Sequence, residues 1–422
     1  MNKRIIVSTI GKIILLEVLL MIPALLVSLI YRDGDTMGFL ITMVPGGIAV
    51  AAFTSVKQSG QRMSSRDGYF IVASAWILIS LIGALPLYIN GGFASYWDAL
   101  FEIVSGFTTT GASILAAPEE LGHGVLFWRS FTHWIGGMGV LVFLLMVMPM
   151  ENDNSMHLVR AEVPGPTAGK LVPRMRTTSM ILYGIYGSMT LILVALLCLF
   201  GMKPFDSFCI AFGTAGTGGF AVSGAGIAGY NSLAIEVTLG IFMLLFGVNF
   251  TVYHLIMLRK IKDALFMEEV RAYFAIVAAA TVAITWNILS FAGGLGNALR
   301  QAFFQVTSII TTTGFATVDF ELWPEFSKHM LLLLMVVGAC AGSTGGGMKV
   351  SRVLIIVKSF VAEIRQIINP KAIVTVRVNG KPVDRKTLSS TRIYAAADMM
   401  LLCFFTLVIS LDVFDFTNNF TA

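Results

Sequence analysis

The sequence predicts an all-α integral membrane protein made of pseudo-repeated helix–loop–helix units around a central axis. Three observations lead there. Of 422 residues, 56% are hydrophobic and only 13% are charged, where a soluble domain carries about 25% charged residues. With a mean hydropathy of +0.82, too little polar surface remains to clothe a globule of this size in water. Nine apolar runs of spanning length, about 20 residues, recur along the chain, and the charges between them alternate in sign.

The runs lie near 13–30, 37–55, 69–90, 125–148, 178–200, 232–258, 272–292, 329–358 and 393–411. The first follows Lys3, Arg4 and Lys12, as in a secretory leader. It is longer than a usual leader core and lacks an A-x-A cleavage site, so it reads as a retained helix. Basic residues fall in alternate connections: Lys3 to Lys12, Lys57 to Arg66, Arg160 to Arg176, Arg259 to Arg271, and Lys349 to Arg392. Together these hold 24 of the 29 Lys and Arg. The other connections carry Asp33, Asp35, Glu119, Glu120, Asp319, Glu321 and Glu325. This bias places the N-terminus in the cytoplasm. Nucleic-acid binding is the rival source of a basic excess, but no basic stripe is interleaved with stacking aromatics. Cys198, Cys209, Cys340 and Cys403 are scattered through apolar stretches without metal-ligand spacing and read as buried thiols.

Three of the outer connections contain a segment too short to span. They run from Asp98 to Gly111, from Asp206 to Gly219 and from Gln301 to Gly314, thirteen positions apart in every case. An aromatic or leucine sits two residues in, and threonine lies within two residues of the final glycine. Internal repetition of this kind is common in transport proteins, with the ion site at the repeat interface. Non-helical backbone at membrane depth must be satisfied by protein or line a cavity. Thr109-Thr110-Gly111, Thr217-Gly218-Gly219 and Thr312-Thr313-Gly314 offer what a dehydrated potassium ion needs. Their carbonyls can replace its water shell, and glycine lets those carbonyls point inward. The short helices would turn their negative ends toward a cation. One such triplet alone would read as a turn or a packing seam; three at one spacing read as a central ion pore. Potassium is expected at Thr110, Gly111, Thr217, Gly218, Thr312 and Thr313, as the transported ion and not as a cofactor.

A second interruption falls inside the eighth run, where Gly338 is followed by Gly342-Ser343-Thr344-Gly345-Gly346-Gly347. Each glycine costs a helix interior about 1 kcal/mol, so the cluster opens a loop over 338–348. That loop serves either as close packing against a neighbour or as a constriction on the ion path. Ionisable residues inside apolar runs are functional candidates. Glu102, on the first short helix, supports the filter from behind or faces the surface. Glu17 reads as a packing or lipid-interface residue, and Glu236 and Asp398 complete the set. His133 and Trp134 read as interfacial anchors, and His254 as a packed histidine. No Ser-His-Asp set, zinc spacing or Walker loop is present, so the chain is not read as an enzyme. The alternative is a solute/cation symporter with broken helices, set against by like-oriented units where such carriers show two inverted halves. A membrane-embedded enzyme would need clustered His or acidic residues, and the five histidines are scattered.

At Ser105-Gly-Phe-Thr-Thr-Thr-Gly-Ala-Ser113, Thr311-Thr-Thr-Gly-Phe-Ala-Thr317 and Cys340-Ala-Gly-Ser-Thr-Gly-Gly-Gly347 the chain resembles the Trk/Ktr/HKT potassium transporter superfamily, TrkH-type bacterial subunits above all. The resemblance covers essentially the whole chain. It implies two extra N-terminal helices (1–66), three pore repeats (67–160, 161–262 and 263–370) and the start of a fourth (371–422). It implies that 338–348 is an intramembrane gating loop, and that glycine at Gly111 goes with potassium preference where serine goes with sodium permeation. It further implies a homodimer in the bacterial inner membrane and a cytosolic TrkA-type nucleotide-binding ring as partner. In the repeat frame Phe420 matches Leu100, Phe208 and Phe303. The fourth unit then starts at Asn418, and its glycine would fall near 431, past Ala422. The sequence is thus expected to end ahead of the fourth pore loop.

Overall fold

The computed structural model describes residues 3–54, 64–139, 175–371, 374–411 and 420. Almost all of them are helical or in connections between helices. Two compact units emerge: Met1–Phe246 with Thr313–Thr317, and Gly247–Thr312 with Val318–Ala422.

In the first unit, α1 (Lys3–Tyr31) and α2 (Thr36–Thr54) form a hairpin, and α1 also packs on α3 (Ser65–Gly83) and α6 (His123–Gly137). The turn between α1 and α2 caps α6. Asp33 accepts from the His123 backbone N–H at 2.8 Å, and Asp35 from that of Val125 at 3.3 Å, so two acids meet the positive end of a helix. Ser64 and Asp67 close a reciprocal capping box that starts α3. After the short α4 (Leu85–Ile89), α5 (Tyr96–Phe107) begins at Ser95, whose hydroxyl accepts from the Asp98 N–H. The unit continues with α7 (Met175–Leu199), α8 (Pro204–Ala215) and α9 (Leu233–Phe246). Small residues let α6 touch its neighbours backbone to backbone. A Cβ placed on Gly136 would lie 2.0 Å from the Phe107 carbonyl oxygen, and one on Gly137 2.5 Å from the Gly216 Cα. The shared core includes Ile13, Met21, Phe39, Ile79, Ile103, Phe107 and Trp128.

The second unit holds α10 (Phe250–Met257), α11 (Ile261–Leu265), α12 (Glu268–Ile288), α13 (Leu295–Ile310), α14 (Glu325–Val337), α15 (Val350–Ile368) and α16 (Arg385–Ile409). α12 packs on α13, α14 and α15, and α15 on α16. Between α15 and α16 a two-stranded hairpin, β1 (Arg377–Val378) and β2 (Lys381–Pro382), turns at Asn379-Gly380. Both turn residues have positive φ, 52° and 73°, as a two-residue hairpin loop demands. Asn379 Oδ1 accepts from the Glu268 backbone N–H at 2.7 Å, so the hairpin caps α12.

Five described helical stretches are long and apolar enough to cross a membrane: Lys3–Tyr31, Arg66–Ile89, Ser179–Leu199, Glu268–Ile288 and Arg385–Ile409. The other expected runs differ in instructive ways. The second run is helical over Thr36–Thr54 with Pro45 inside it. The fourth is described only to Gly139. The sixth, read as continuous, stops at Phe246 and restarts at Phe250, because Asn249 caps a new helix by accepting from the Thr251 N–H at 2.9 Å. The eighth breaks after Val337 and resumes at Val350. The basic connections over 57–63 and 160–174 and the start of the fourth unit at 418 lie outside the described residues. Two of the four thiols are buried; Cys198 is half-buried and Cys403 exposed, the latter on α16, whose buried face is confined to Thr391.

Candidate functional site

The three repeated segments adopt one backbone conformation. Each short helix (α5, α8, α13) is followed by one right-handed capping residue, Thr108, Gly216 or Thr311. A threonine in the left-handed region comes next: Thr109 at φ 55°, Thr217 at 54° and Thr312 at 57°. Two positions on, Gly111, Gly219 and Gly314 return to positive φ at 79°, 79° and 83°. The first half of this pattern is a helix-ending Schellman motif. The Thr110 N–H donates to the Ser105 carbonyl at 2.9 Å and the Gly218 N–H to the Gly213 carbonyl at 2.9 Å. Glycine normally fills the left-handed position. A β-branched residue there costs of order 1–3 kcal/mol and persists only where its surroundings impose it. Positive φ at alternate residues turns successive carbonyls toward a common side, the arrangement that carbonyl-lined ion filters use.

In the first unit these stretches lie side by side. A Cβ on Gly111 would sit 1.9 Å from the Gly218 carbonyl oxygen, and one on Gly219 2.0 Å from the Thr313 carbonyl oxygen. The first stretch is thus seated on the second and the second on the third. The same position on Gly314 has nothing within 4 Å. The structure therefore brings together Thr109, Thr110, Gly111, Thr217, Gly218, Gly219, Thr313 and Gly314. Thr312 is the residue at which the chain leaves the second unit.

Behind the first two stretches lies a buried polar cluster. Glu102 on α5 and Arg129 on α6 are 0% and 1% exposed, and Arg129 Nε donates to Glu102 Oε1 at 2.6 Å. Of the two readings for Glu102, surface placement is excluded. Arg129 is the residue that sequence reasoning passed over, although it is the sole charge in the 125–148 run and so carried the signal. His133 is fully buried, with its ring stacked on Phe220 at 4.0 Å between centroids. It is no interfacial anchor: a Cβ on Gly218 would fall 2.5 Å from that ring. Trp134, half-buried, donates from Nε1 to Thr190 Oγ1 at 3.1 Å and stacks on Tyr186, so it too is a packing residue. Glu17 is buried in an apolar cavity with Leu16, Ile79, Phe107 and Trp128, which fits the packing reading. His254 is buried as a packed histidine.

In the second unit the interruption between α14 and α15 is a loop held at many points. The Ala341 N–H donates to Glu269 Oε1 at 2.6 Å, and the Cys340 N–H to the Gly247 carbonyl at 3.0 Å. The Gly342 carbonyl accepts from the Phe250 N–H at 2.9 Å. The break in the sixth run and the loop in the eighth therefore satisfy each other's backbone. The Gly346 N–H donates to Thr312 Oγ1 at 2.6 Å, and the Ser343 hydroxyl to the Cys340 carbonyl at 2.6 Å. Gly338 and Gly347 pack backbone on backbone, a Cβ on the second reaching 2.6 Å from the Gly338 Cα. Gly345 abuts Ala339 and Thr311, and Thr344 is buried. Lys349, expected to open a basic surface segment, is buried at positive φ with its ammonium on the Gly345 carbonyl. Arg352 is buried too, over the Tyr394 ring, while Lys358 and Arg392 pair with Glu268 and Glu363. Lys349 and Arg352 are the desolvated charges here, and each meets a backbone carbonyl, of Gly345 and Met348.

Comparison with known proteins gives a single direction. Residues 36–421 match the family model described as TrkH: Cation transport protein. The chain is 33% identical over 429 residues to the Trk system potassium uptake protein TrkG of Escherichia coli, covering 99% of this chain and 87% of that one. It is 33% identical over 384 residues to the TrkH of Halomonas elongata, covering 90% of this chain and 80% of that one. The crystal structure of the potassium transporter TrkH from Vibrio parahaemolyticus superposes with a TM-score of 0.89 at 31% identity, over 100% of this chain and 88% of that one.

Proposed function

We propose that this chain, which belongs to the TrkH family of cation transport proteins, takes up potassium across the bacterial inner membrane through a carbonyl-lined filter. The family makes it a multi-pass membrane transport protein. The filter is assigned to Thr109, Thr110, Gly111, Thr217, Gly218, Gly219, Thr312, Thr313 and Gly314. The observation that carries this assignment is the left-handed Thr–Xaa–Gly backbone, repeated three times, with the glycine of one stretch set against the carbonyl of the next. Such carbonyls stand in for water around a bare cation. The three short helices end toward these stretches and add the negative pole of their dipoles.

The gate is assigned to the 338–348 loop, Gly342, Ser343, Thr344, Gly345, Gly346 and Gly347 within it. Its bonds to Glu269, Thr312 and Gly247 favour a loop with one held position over a floppy one, so opening must exchange them. The sixth-run break at Gly247–Asn249 belongs to the same device. A homodimer with its N-termini in the cytoplasm, and a cytosolic TrkA-type ring acting on this loop, complete the reading. The test is growth rescue of a potassium-uptake-deficient bacterium by the complete gene, with rubidium and potassium flux in proteoliposomes. Growth at low potassium with selective flux is expected. No rescue by protein that reaches the membrane, and no flux from purified protein, would refute it.

A further inference from the structure

We infer that the buried Glu102–Arg129 pair is a positioning and selectivity-determining element: it ties the segments leaving the first and second filter stretches to each other. The inference rests on the potassium-filter reading above and deepens it. Arg129 reaches Glu102 on α5 and both of these segments. Nε meets Glu102 Oε1 at 2.6 Å, Nη2 donates to Ser113 Oγ at 3.1 Å, and Nη1 donates to the Ala221 carbonyl at 3.1 Å. The guanidinium also lies 3.5 Å from the Phe220 ring centroid. Glu102 completes the tie, accepting from the Ser113 hydroxyl at 2.8 Å and from the Ile114 N–H at 3.2 Å. Ser113 and Ile114 come two and three residues after Gly111; Phe220 and Ala221 come one and two after Gly219. The strut therefore grips both chains just past their filter glycines.

A planar, always-charged fork suits this task, since its donors are fixed relative to one another. The strut also breaks the pseudo-symmetry of the repeats. Counted from Asp98, Asp206 and Gln301, the place of Glu102 is taken by Ile210 in the second repeat and by Gln305 in the third. Gln305, fully buried, likewise reaches the segment after its own filter glycine, with Nε2 3.4 Å from the Val318 carbonyl. The second stretch has no polar residue of its own at that place and borrows Arg129. Carbonyls that replace hydration oxygens must be held to fractions of an ångström, and the strut fixes the spacing of two of the loops.

The decisive variant is E102M/R129M. Replacing a buried ion pair by apolar residues of similar volume is often neutral for stability, whereas all the bonds to Ser113, Ile114 and Ala221 disappear. Proteoliposome flux of potassium against sodium is measured beside thermal unfolding in detergent. The expected result is a protein that melts like the wild type, with a potassium-over-sodium ratio at least tenfold lower. A wild-type ratio in a stable double variant overturns the inference. If the double variant does not fold, S113A decides: it removes the shared hydroxyl and leaves the ion pair intact. A severalfold fall in the ratio supports the strut, and an unmoved ratio overturns it. Wild-type protein without potassium flux would sink the filter reading and this inference together, while selective wild-type flux with unmoved variants sinks this inference alone.

Discussion

Gly111→Ala separates two costs that glycine hides at the filter. At φ +79° any L-residue pays a left-handed penalty, about 1–2 kcal/mol. The new Cβ would also stand 1.9 Å from the Gly218 carbonyl oxygen, where carbon does not approach closer than 3.0 Å, so that carbonyl must retreat by at least 1.1 Å. A carbonyl moved that far no longer replaces a water oxygen on the ion. Losing one hydrogen-bond-strength contact to a charged group is worth about 1.5–3 kcal/mol, or roughly ten- to a hundredfold in an equilibrium at 1.4 kcal/mol per decade. Gly91→Ala is the control: φ is +73° with nothing within 4 Å, so it pays only the backbone penalty. The assay is the potassium-over-sodium flux ratio in proteoliposomes, with melting temperature as the check on folding. G111A should lose selectivity by that factor, and G91A should keep it with a smaller loss of stability. Equal ratios in two folded variants would refute the reasoning.

Glu269→Ala leaves the Ala341 N–H without its acceptor, a cost of about 1–3 kcal/mol to the held position of the loop. Flux without the cytosolic partner should rise about tenfold, and an unchanged basal flux would count against the loop as gate. Lys349→Met removes the ammonium from the Gly345 carbonyl and should raise basal flux in the same assay. Asp33 supplies a pH test at the start of α6. Partial burial pushes its carboxyl up, but the backbone and ring of His123 outweigh that and hold it below the usual range. A depressed folded-state value stabilises above the unfolded value, near 3.9, and the benefit is lost as pH falls through the folded value. The melting difference between wild type and Asp33→Asn should therefore be present at pH 7 and shrink as pH falls below the unfolded value. A difference that grows on acidification would contradict it.

Repetition made the three triplets legible as one motif: the thirteen-residue spacing aligns segments whose threonine and closing glycine share positive φ. The left-handed threonines were not legible, because local preference opposes them and only packing around the loops imposes them. The break at Gly247–Asn249 hid for a related reason. One glycine in an apolar helix is ordinary, and the cue was Asn249 as a cap, with partners almost a hundred residues away at Cys340 and Gly342. The Asn379-Gly380 turn was open to reading, since Asn-Gly is a strong hairpin signal. His133 failed as an anchor because belt statistics describe rings facing lipid, whereas Gly216 and Gly218 leave room for this ring to enter the interior.

The three threonines carry the physical argument furthest. Glycine at the left-handed position would end each short helix at less strain, and the chain, with 41 glycines, uses it freely elsewhere. Threonine at all three places costs the fold several kcal/mol in sum, so a side chain there must return something glycine cannot. The hydroxyls show what it is. Thr217 Oγ1 donates to the Gly216 carbonyl at 2.7 Å, and Thr312 Oγ1 donates to the Thr311 carbonyl at 2.6 Å while accepting from Gly346. In the second and third stretches each hydroxyl thus fixes the peptide before it, and the third also fixes one end of the 338–348 loop. Backbone strain and restraint of the 338–348 loop are, at Thr312, properties of one residue.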